Sequence, residues 1–133
     1  MKTSIRKYRS TPALAALMAT GAALAALTHA APAHADAAVG KTQFAACAAC
    51  HSTTGAEGIG PHLNGVFGRK AGSVPGVNYS RAMKQSNITW NEQTLAAYLA
   101  DPQKAVPGNH MPFSGLQDAK EIANIVDYLK SLP

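Results

Sequence analysis

The pentapeptide Cys-Ala-Ala-Cys-His at positions 47–51 constrains this chain more than any other feature. It holds the only two cysteines, three positions apart, followed at once by an imidazole. Two thiols at this spacing can each form a thioether to a haem vinyl group, and the adjacent histidine can ligate the iron from the same side. The motif therefore predicts that the chain folds around one covalently attached haem, bound by Cys47, Cys50 and His51.

Other chemistries of a Cys-x-x-Cys pair fit the chain less well. A thioredoxin-type dithiol is expected in a β-α-β setting, and a structural zinc site takes four ligands, usually in two pairs. The sequence shows neither a parallel-strand pattern nor a second Cys or His pair at zinc spacing. A disulfide across so short a loop would stabilise little, because its contribution depends on the length of the loop it closes. Haem attachment is the favoured interpretation.

The N-terminal segment has the three parts of a secretory signal peptide. A basic leader precedes an uncharged Ala- and Leu-rich run at 13–27, and Ala33-His34-Ala35 is a small-x-small cleavage site. The alternative is an uncleaved membrane anchor, since the uncharged run approaches the ~20 residues that span a bilayer. The high alanine content and the processing site favour cleavage. We expect a signal peptide at 1–35 that is cleaved after Ala35, a single domain at 36–133, and a periplasmic protein without membrane insertion after cleavage.

The net charge belongs mainly to that leader. The whole chain has 12 Lys and Arg against 7 Asp and Glu, a formal charge of +5 at pH 7. After position 35 there remain eight Lys and Arg against seven Asp and Glu, a charge of about +1. Nucleic acid binding needs a clustered basic face, so we expect no nucleic acid partner.

Hydrophobic periodicity and capping residues predict three main helices. The first spans about 37–49, with Asp36 at its N-cap. The second follows a capping box at 89–92 and ends before Pro102, because the residue before proline avoids helical dihedrals. The last opens at Asp118 and carries an apolar i, i+3, i+4, i+7 stripe.

Loops are predicted between these helices. The segment 55–78 holds seven glycines and two prolines, and no convincing period-two alternation of a β-strand occurs anywhere. The chain is therefore predicted to be all-α, with long loops shaped around the haem.

A haem held by one histidine needs a second axial ligand, or else keeps an open position for gas or peroxide chemistry. After position 35 the candidates are Met83, Met111, His62 and His110. Met111 lies in a loop at 106–113 that two prolines and a glycine stiffen, and a soft thioether suits a low-spin haem iron. A single methionine is far more often core filler than a ligand, so these arguments leave the choice open.

Further motifs occur in a specific order along the chain. They are Gly40 and Phe44, the pentapeptide at 47–51, the segments 60–70 and 88–90, Tyr98-Leu99, the segment 107–111, Phe113 and Tyr128-Leu129. Together they resemble a class I c-type cytochrome, similar to mitochondrial-type cytochrome c and its small bacterial periplasmic relatives. The resemblance covers 40–132. It implies a small cytochrome c fold, with three main helices plus short helices and long loops wrapped around one covalently bound haem c.

The resemblance also implies a role for each matching residue. Met111 is the sixth ligand, and the carbonyl of Pro61 accepts the imidazole N–H of His51, which sets its tautomer and basicity. Arg69, Tyr79 and Trp90 are expected near the haem propionates as donors, and Tyr98 beside the Met111 sulfur. The implied cofactor-binding set is Cys47, Cys50, His51, Pro61, Arg69, Tyr79, Trp90, Tyr98 and Met111, with His51 and Met111 as metal ligands.

The chain departs from the family pattern beside the proposed sixth ligand. Asn109 and His110 stand where the family usually has threonine and lysine, and several lysines that ring the exposed haem edge in the mitochondrial type are replaced. The alanines around the two cysteines, with Val106 and Phe113, suggest a mostly apolar contact patch. Steering by long-range charge should then be weak.

These expectations describe a soluble, monomeric single-haem electron carrier that is not an enzyme and shuttles one electron by Fe(III)/Fe(II) cycling. The resemblance implies redox proteins as partners: a dehydrogenase, a cytochrome bc1-type complex, a photosynthetic centre or a terminal oxidase. The alternative is a c-type haem protein with an open sixth site for gas binding or peroxide reduction. Such a protein would need a distal acid–base group, for which His62 and His110 are the candidates.

Overall fold

The structure is a computed structural model that describes residues 35–133, so the predicted signal peptide lies outside the described residues except for Ala35. The part described is helical and has no β-strand; one isolated antiparallel bridge joins Lys70 and Thr89. None of its helices is both long enough and apolar enough to cross a bilayer. The helices are α1 (Ala37–Gln43), continued by a 3-10 helix (Phe44–Ala46), then α2 (Arg81–Gln85), α3 (Glu92–Ala100), α4 (Pro102–Ala105) and α5 (Ala119–Ser131).

The three main helices predicted from the sequence are α1, α3 and α5, and the short ones are α2 and α4. Asp36 caps α1 by accepting hydrogen bonds from two backbone N–H groups, at 2.8 and 3.2 Å. Asp118 caps α5 in the same way, at 2.7 and 3.2 Å. These carboxylates satisfy donors of the first helical turn that have no partner inside the helix.

The capping box of α3 lies two residues later than the sequence predicted. Asn91 is the N-cap: its Oδ1 accepts from the Thr94 N–H at 2.9 Å, and Thr94 Oγ1 accepts from the Asn91 N–H at 2.8 Å. Thr89, the predicted cap, is instead paired with Lys70 in the isolated bridge. Because Thr89 pairs with Lys70, Asn91 is the residue that caps the helix.

The first helix is also shorter than predicted. Regular α-helix ends at Gln43, the 3-10 helix follows, and turns continue through Cys50. The tighter winding is held by hydrogen bonds to the Phe44 carbonyl from Cys47 N–H at 2.8 Å and from Ala48 N–H at 3.1 Å. This irregular segment carries both cysteines into the interior of the loops.

Helices α1 and α5 cross in close contact at Gly40. A Cβ built on Gly40 would overlap the backbone carbonyl of Asn124 and lie 3.0 Å from the Cβ of Tyr128. The rings of Phe44 and Tyr128 pack beside this point with centroids 5.4 Å apart. Asn124, itself buried, accepts a hydrogen bond from the Asp36 N–H at 2.9 Å. Gly40 and Tyr128, two of the residues that carry the family resemblance, thus meet where α1 crosses α5.

The long loop between the 3-10 helix and α2 is anchored to the entry of α3 by backbone hydrogen bonds. Gly68 N–H donates to the Trp90 carbonyl at 2.8 Å, and Trp90 N–H donates to the Arg69 carbonyl at 2.9 Å. Ala71 N–H adds a third bond, to Ile88, at 2.8 Å. These bonds place Arg69 and Trp90 side by side, 21 positions apart in sequence, and so shape one wall of the interior.

Candidate functional site

A cavity of about 380 Å³ opens among the loops, within the size range of pockets that hold small molecules and cofactors. Its wall includes apolar side chains from α3, α5 and the loops, among them Leu63, Val66, Leu95, Leu99 and Leu129. The sequence-predicted site residues all contribute to the same wall: Cys47, Cys50, His51, Pro61, Arg69, Tyr79, Trp90, Tyr98 and Met111.

The imidazole of His51 is fixed by two neighbours from the following loop. Its Nδ1 lies 2.7 Å from the carbonyl oxygen of Pro61, so Nδ1 carries the proton and Nε2 keeps its lone pair. Gly60 packs against the ring: a Cβ there would lie 2.6 Å from Cε1 and 2.9 Å from Nδ1. The chain has glycine here because no side chain fits between the backbone and the imidazole.

The two cysteines are partly buried and are not joined in a disulfide. Burial raises the pKa of the Cys47 thiol, and the charges of Glu121 and Cys50 raise it further. A thiol in such surroundings stays protonated at neutral pH, unlike the thiolate of a redox-active dithiol at a helix N-terminus. Both cysteines border the cavity.

Arg69 and Tyr79 bring polar groups to a mostly apolar wall. The Arg69 guanidinium donates to the His62 carbonyl at 2.6 Å and to the Asn64 carbonyl at 3.1 Å. Burial lowers the pKa of Arg69, an effect that Tyr79 opposes, but an arginine remains charged in proteins. Burial also raises the pKa of the Tyr79 phenol, which keeps its O–H as a donor. Such donors suit carboxylates that a cofactor would bring into the interior.

Tyr98 and Trp90 pack edge to face, with ring centroids 5.2 Å apart and planes at 64°. Both are buried, and burial raises the pKa of the Tyr98 phenol to about 12. The Tyr98 hydroxyl donates to Oδ1 of Asn109 at 3.2 Å. The partner of this hydroxyl is thus an asparagine two residues before Met111, which the sequence had marked only as a departure from the family.

The candidate sixth ligands differ in their positions. Met111, Met83 and His110 all border the cavity. Met83 belongs to the buried core, Met111 is half-buried, and His110 is exposed. His62 is not part of the cavity wall; its Nδ1 lies 3.4 Å from the Arg69 guanidinium. Of the two histidines, only His110 borders the cavity, next to the proposed ligand Met111. His62 is therefore not a candidate for a distal acid–base group.

The apolar contact patch needs one correction. Val106, which the sequence suggested as part of it, is only 3% exposed and belongs to the core. Ile59 was not anticipated: it is 85% exposed and borders the cavity. Its signal in the sequence was a large apolar residue placed directly between two glycines, Gly58 and Gly60. Exposed alanines at 45, 46, 48 and 49 complete an uncharged surface near the cysteines.

The residues present fit a covalently bound haem. The cavity joins two free thiols, an imidazole with its free nitrogen available, a thioether and an apolar wall with a few buried donors. These are the groups that thioether attachment, axial ligation and burial of a large planar ring require.

Comparison with known proteins agrees with this site. Residues 37–133 match the profile of the family described as Cytochrome c. The chain is 49% identical over 90 residues to cytochrome c2 iso-2 of Magnetospirillum fulvum, covering 67% of this chain and 94% of that one. It is 42% identical over 97 residues to cytochrome c2 of Blastochloris viridis, covering 71% and 76%. The structure of cytochrome cH from Methylobacterium extorquens superposes with a TM-score of 0.69 at 46% identity, covering 72% of this chain and 98% of that one. On this basis the cofactor is covalently bound haem c, and the chain belongs to the cytochrome c family.

Proposed function

We propose that this chain carries one electron at a time between redox proteins, with haem c attached through Cys47 and Cys50 and ligated by His51 and Met111. The observation that carries this proposal is that all four residues border one cavity, in which Pro61 already holds the His51 ring with its free nitrogen available. When bound, the haem supplies one-electron exchange between Fe(III) and Fe(II).

The protein's part is to hold both axial side chains and to exclude water. The 2.7 Å bond from His51 to the Pro61 carbonyl makes the imidazole a stronger donor and restricts its rotation. The Met111 thioether, as a second ligand, would favour the reduced state, and a wall of leucines and aromatic rings would disfavour the extra charge of the oxidised state. The reduction potential should therefore be positive relative to bis-histidine haems of similar exposure.

Arg69, Tyr79 and Trp90 are proposed as donors to the haem propionates. The support is their common place on the cavity wall, together with the partly buried, charged guanidinium of Arg69. A charge-assisted hydrogen bond from such a group stabilises a buried carboxylate.

A carrier role is favoured over gas binding or peroxide reduction. Peroxide chemistry needs an acid–base group beside an open coordination position, and His62 lies away from the cavity wall. His110 does border the cavity, but it is exposed and adjacent in sequence to the methionine that we propose as the ligand.

The sixth ligand can be tested with a matched pair of methionine variants. Met111→Ala should keep covalent haem but lose the low-spin state and the weak far-red band of the ferric form, which reports sulfur-to-iron charge transfer. Met83→Leu removes the other sulfur of the cavity wall and should keep that band. The reverse pattern would assign the ligand to Met83, and carbon monoxide binding to untreated ferrous wild-type protein would favour the open-site alternative.

Attachment is tested by removing the thiols. The double variant Cys47→Ala, Cys50→Ala should yield little protein with covalent haem when it is produced with a haem-attachment system. A normal covalent haem stain after denaturing electrophoresis would contradict the attachment sites.

We further propose that residues 1–35 are a signal peptide and that the domain at 36–133 acts in the periplasm as a monomer. The support is the basic leader, the alanine-rich run and the cleavage signature that ends at Ala35. Its partners would be a dehydrogenase, a cytochrome bc1-type complex, a photosynthetic centre or a terminal oxidase. Mass spectrometry of the secreted holoprotein should show an N-terminus at Asp36, whereas retention of residues 1–35 in a membrane fraction would indicate an anchor.

A further inference from the structure

Asn109 is one of the few buried polar residues of the described chain, with 6% of its surface exposed. Its side chain makes four hydrogen bonds. Nδ2 donates to the carbonyls of Pro102 at 2.8 Å and Val106 at 3.1 Å. Oδ1 accepts from the Met111 N–H at 2.9 Å and from the Tyr98 hydroxyl at 3.2 Å. Both donors and both lone pairs of the amide are therefore occupied.

These bonds join three parts of the structure. The two donors attach Asn109 to the first residue of α4 and to the residue that ends it. The acceptor reaches forward to the backbone of Met111 and across to α3, on which Tyr98 lies. One amide thus links α3, α4 and the loop at 106–113 that holds Met111, which we call the methionine loop.

The main chain of the same loop is held as well. The Gln103 side chain donates to the Asn109 carbonyl at 3.1 Å and accepts from the Gly108 N–H at 3.2 Å. Gly108 has φ +83°, a conformation that glycine adopts without strain. The loop before Met111 is therefore a turn with most of its polar groups paired, and Asn109 is its only side chain that faces the interior with a full set of partners.

We propose that Asn109 is a positioning residue for the Met111 thioether: its amide anchors the methionine loop on α4 and takes the Tyr98 hydroxyl as a partner. This inference rests on the proposed ligation by Met111. A threonine, which the family usually has here, could not make the same set of bonds, because its hydroxyl has one donor while Asn109 uses two. Removal of the amide would take from the Met111 N–H its hydrogen-bond partner, and would leave the carbonyls of Pro102 and Val106 with only their backbone donors, at 2.9 and 3.0 Å.

A competing ligand measures how firmly the loop is held. Exogenous imidazole can bind ferric iron only when Met111 has left it. Its apparent affinity is therefore its intrinsic affinity multiplied by the fraction of molecules in which the loop is open. Loss of the Asn109 amide raises that fraction and leaves the intrinsic affinity of imidazole for the iron unchanged. The measurement is the imidazole dissociation constant of the ferric holoprotein, followed through loss of the sulfur-to-iron band.

We expect Asn109→Ala to lower the imidazole dissociation constant by about tenfold or more, since several buried hydrogen bonds are lost and each 1.4 kcal/mol is a factor of ten. Asn109→Ser, which retains one short polar group, should fall between wild type and alanine and serves if the alanine variant does not fold. Asn124→Ala is the matched control: it removes a buried asparagine at the crossing of α1 and α5, and should lower stability but leave imidazole affinity within twofold of wild type.

The outcomes separate this inference from the proposed function. If wild-type ferric protein lacks the sulfur-to-iron band, ligation by Met111 fails before any variant is considered. If the band is present and Asn109→Ala and Asn109→Ser bind imidazole within twofold of wild type, the positioning role is overturned. The same holds if Asn124→Ala changes the constant as much as Asn109→Ala, since the effect would then follow general destabilisation.

Discussion

Replacing Gly40 by alanine sets two physical effects against each other, and the structure decides the sign. Helix propensity alone favours the change, because alanine stabilises a helix interior by about 1 kcal/mol relative to glycine. Gly40, however, lies where α1 crosses α5. A Cβ there would overlap the Asn124 carbonyl and stand 3.0 Å from the Tyr128 Cβ, so the helices must separate.

The cost of that separation exceeds the gain in propensity. Overpacking of a well-packed contact costs about 1–3 kcal/mol. Two further contacts would weaken with it: the Phe44–Tyr128 ring pair at 5.4 Å, worth about 0.5–1.5 kcal/mol, and the bond from Asp36 N–H to Asn124 at 2.9 Å, worth about 1 kcal/mol. We expect Gly40→Ala to lower the free energy of unfolding by about 2–4 kcal/mol.

Guanidinium unfolding of the holoprotein, followed by far-ultraviolet circular dichroism, measures this difference. Ala38→Gly is the control, because Ala38 is exposed on the same helix and reports propensity without the crossing; it should cost about 1 kcal/mol or less. A Gly40→Ala protein that is as stable as wild type, or more stable, would show that the helices separate at no cost and would refute the packing argument.

Three further predictions concern the site. Gly60→Ala should push the His51 ring away from the Pro61 carbonyl, weaken its donation and raise the reduction potential by a few tens of millivolts in a redox titration; an unchanged potential would contradict the packing of Gly60 on the ring. The pKa of Tyr98 is about 12 in the folded protein and about 10 in the unfolded chain, so the folded state binds the phenol proton more tightly. This difference in pKa contributes about 2–3 kcal/mol to the free energy of unfolding, which is present in full below pH ~10 and is lost as pH rises to ~12. Tyr98→Phe should flatten that decline in denaturant titrations, and an equal slope in both proteins would count against it. Electron transfer to native membranes should depend only mildly on salt, and Ile59→Lys should slow it more than Lys104→Ala; a steep fall with ionic strength would reveal a charged docking face.

The parts of this protein that depend on neighbouring residues could be predicted from the sequence alone. The attachment motif at 47–51 is a local arrangement of thiols and imidazole, and Asp36 and Asp118 each cap the N–H groups two and three positions later. The glycine-rich segment could only be loops. The family resemblance then supplied the roles that we propose for Pro61 and Met111, which no local pattern assigns.

Other features were decided by contacts between distant parts of the chain. The capping box of α3 moved to Asn91 because Thr89 pairs with Lys70, and Val106 entered the core although the next residue, Pro107, is exposed. The sequence marked Asn109 only as a departure from the family, since nothing in a single asparagine shows which carbonyls and hydroxyls it will meet. Burial and pairing are properties of the space around a residue, and that space exists only once helices and loops from far apart in the chain have packed together.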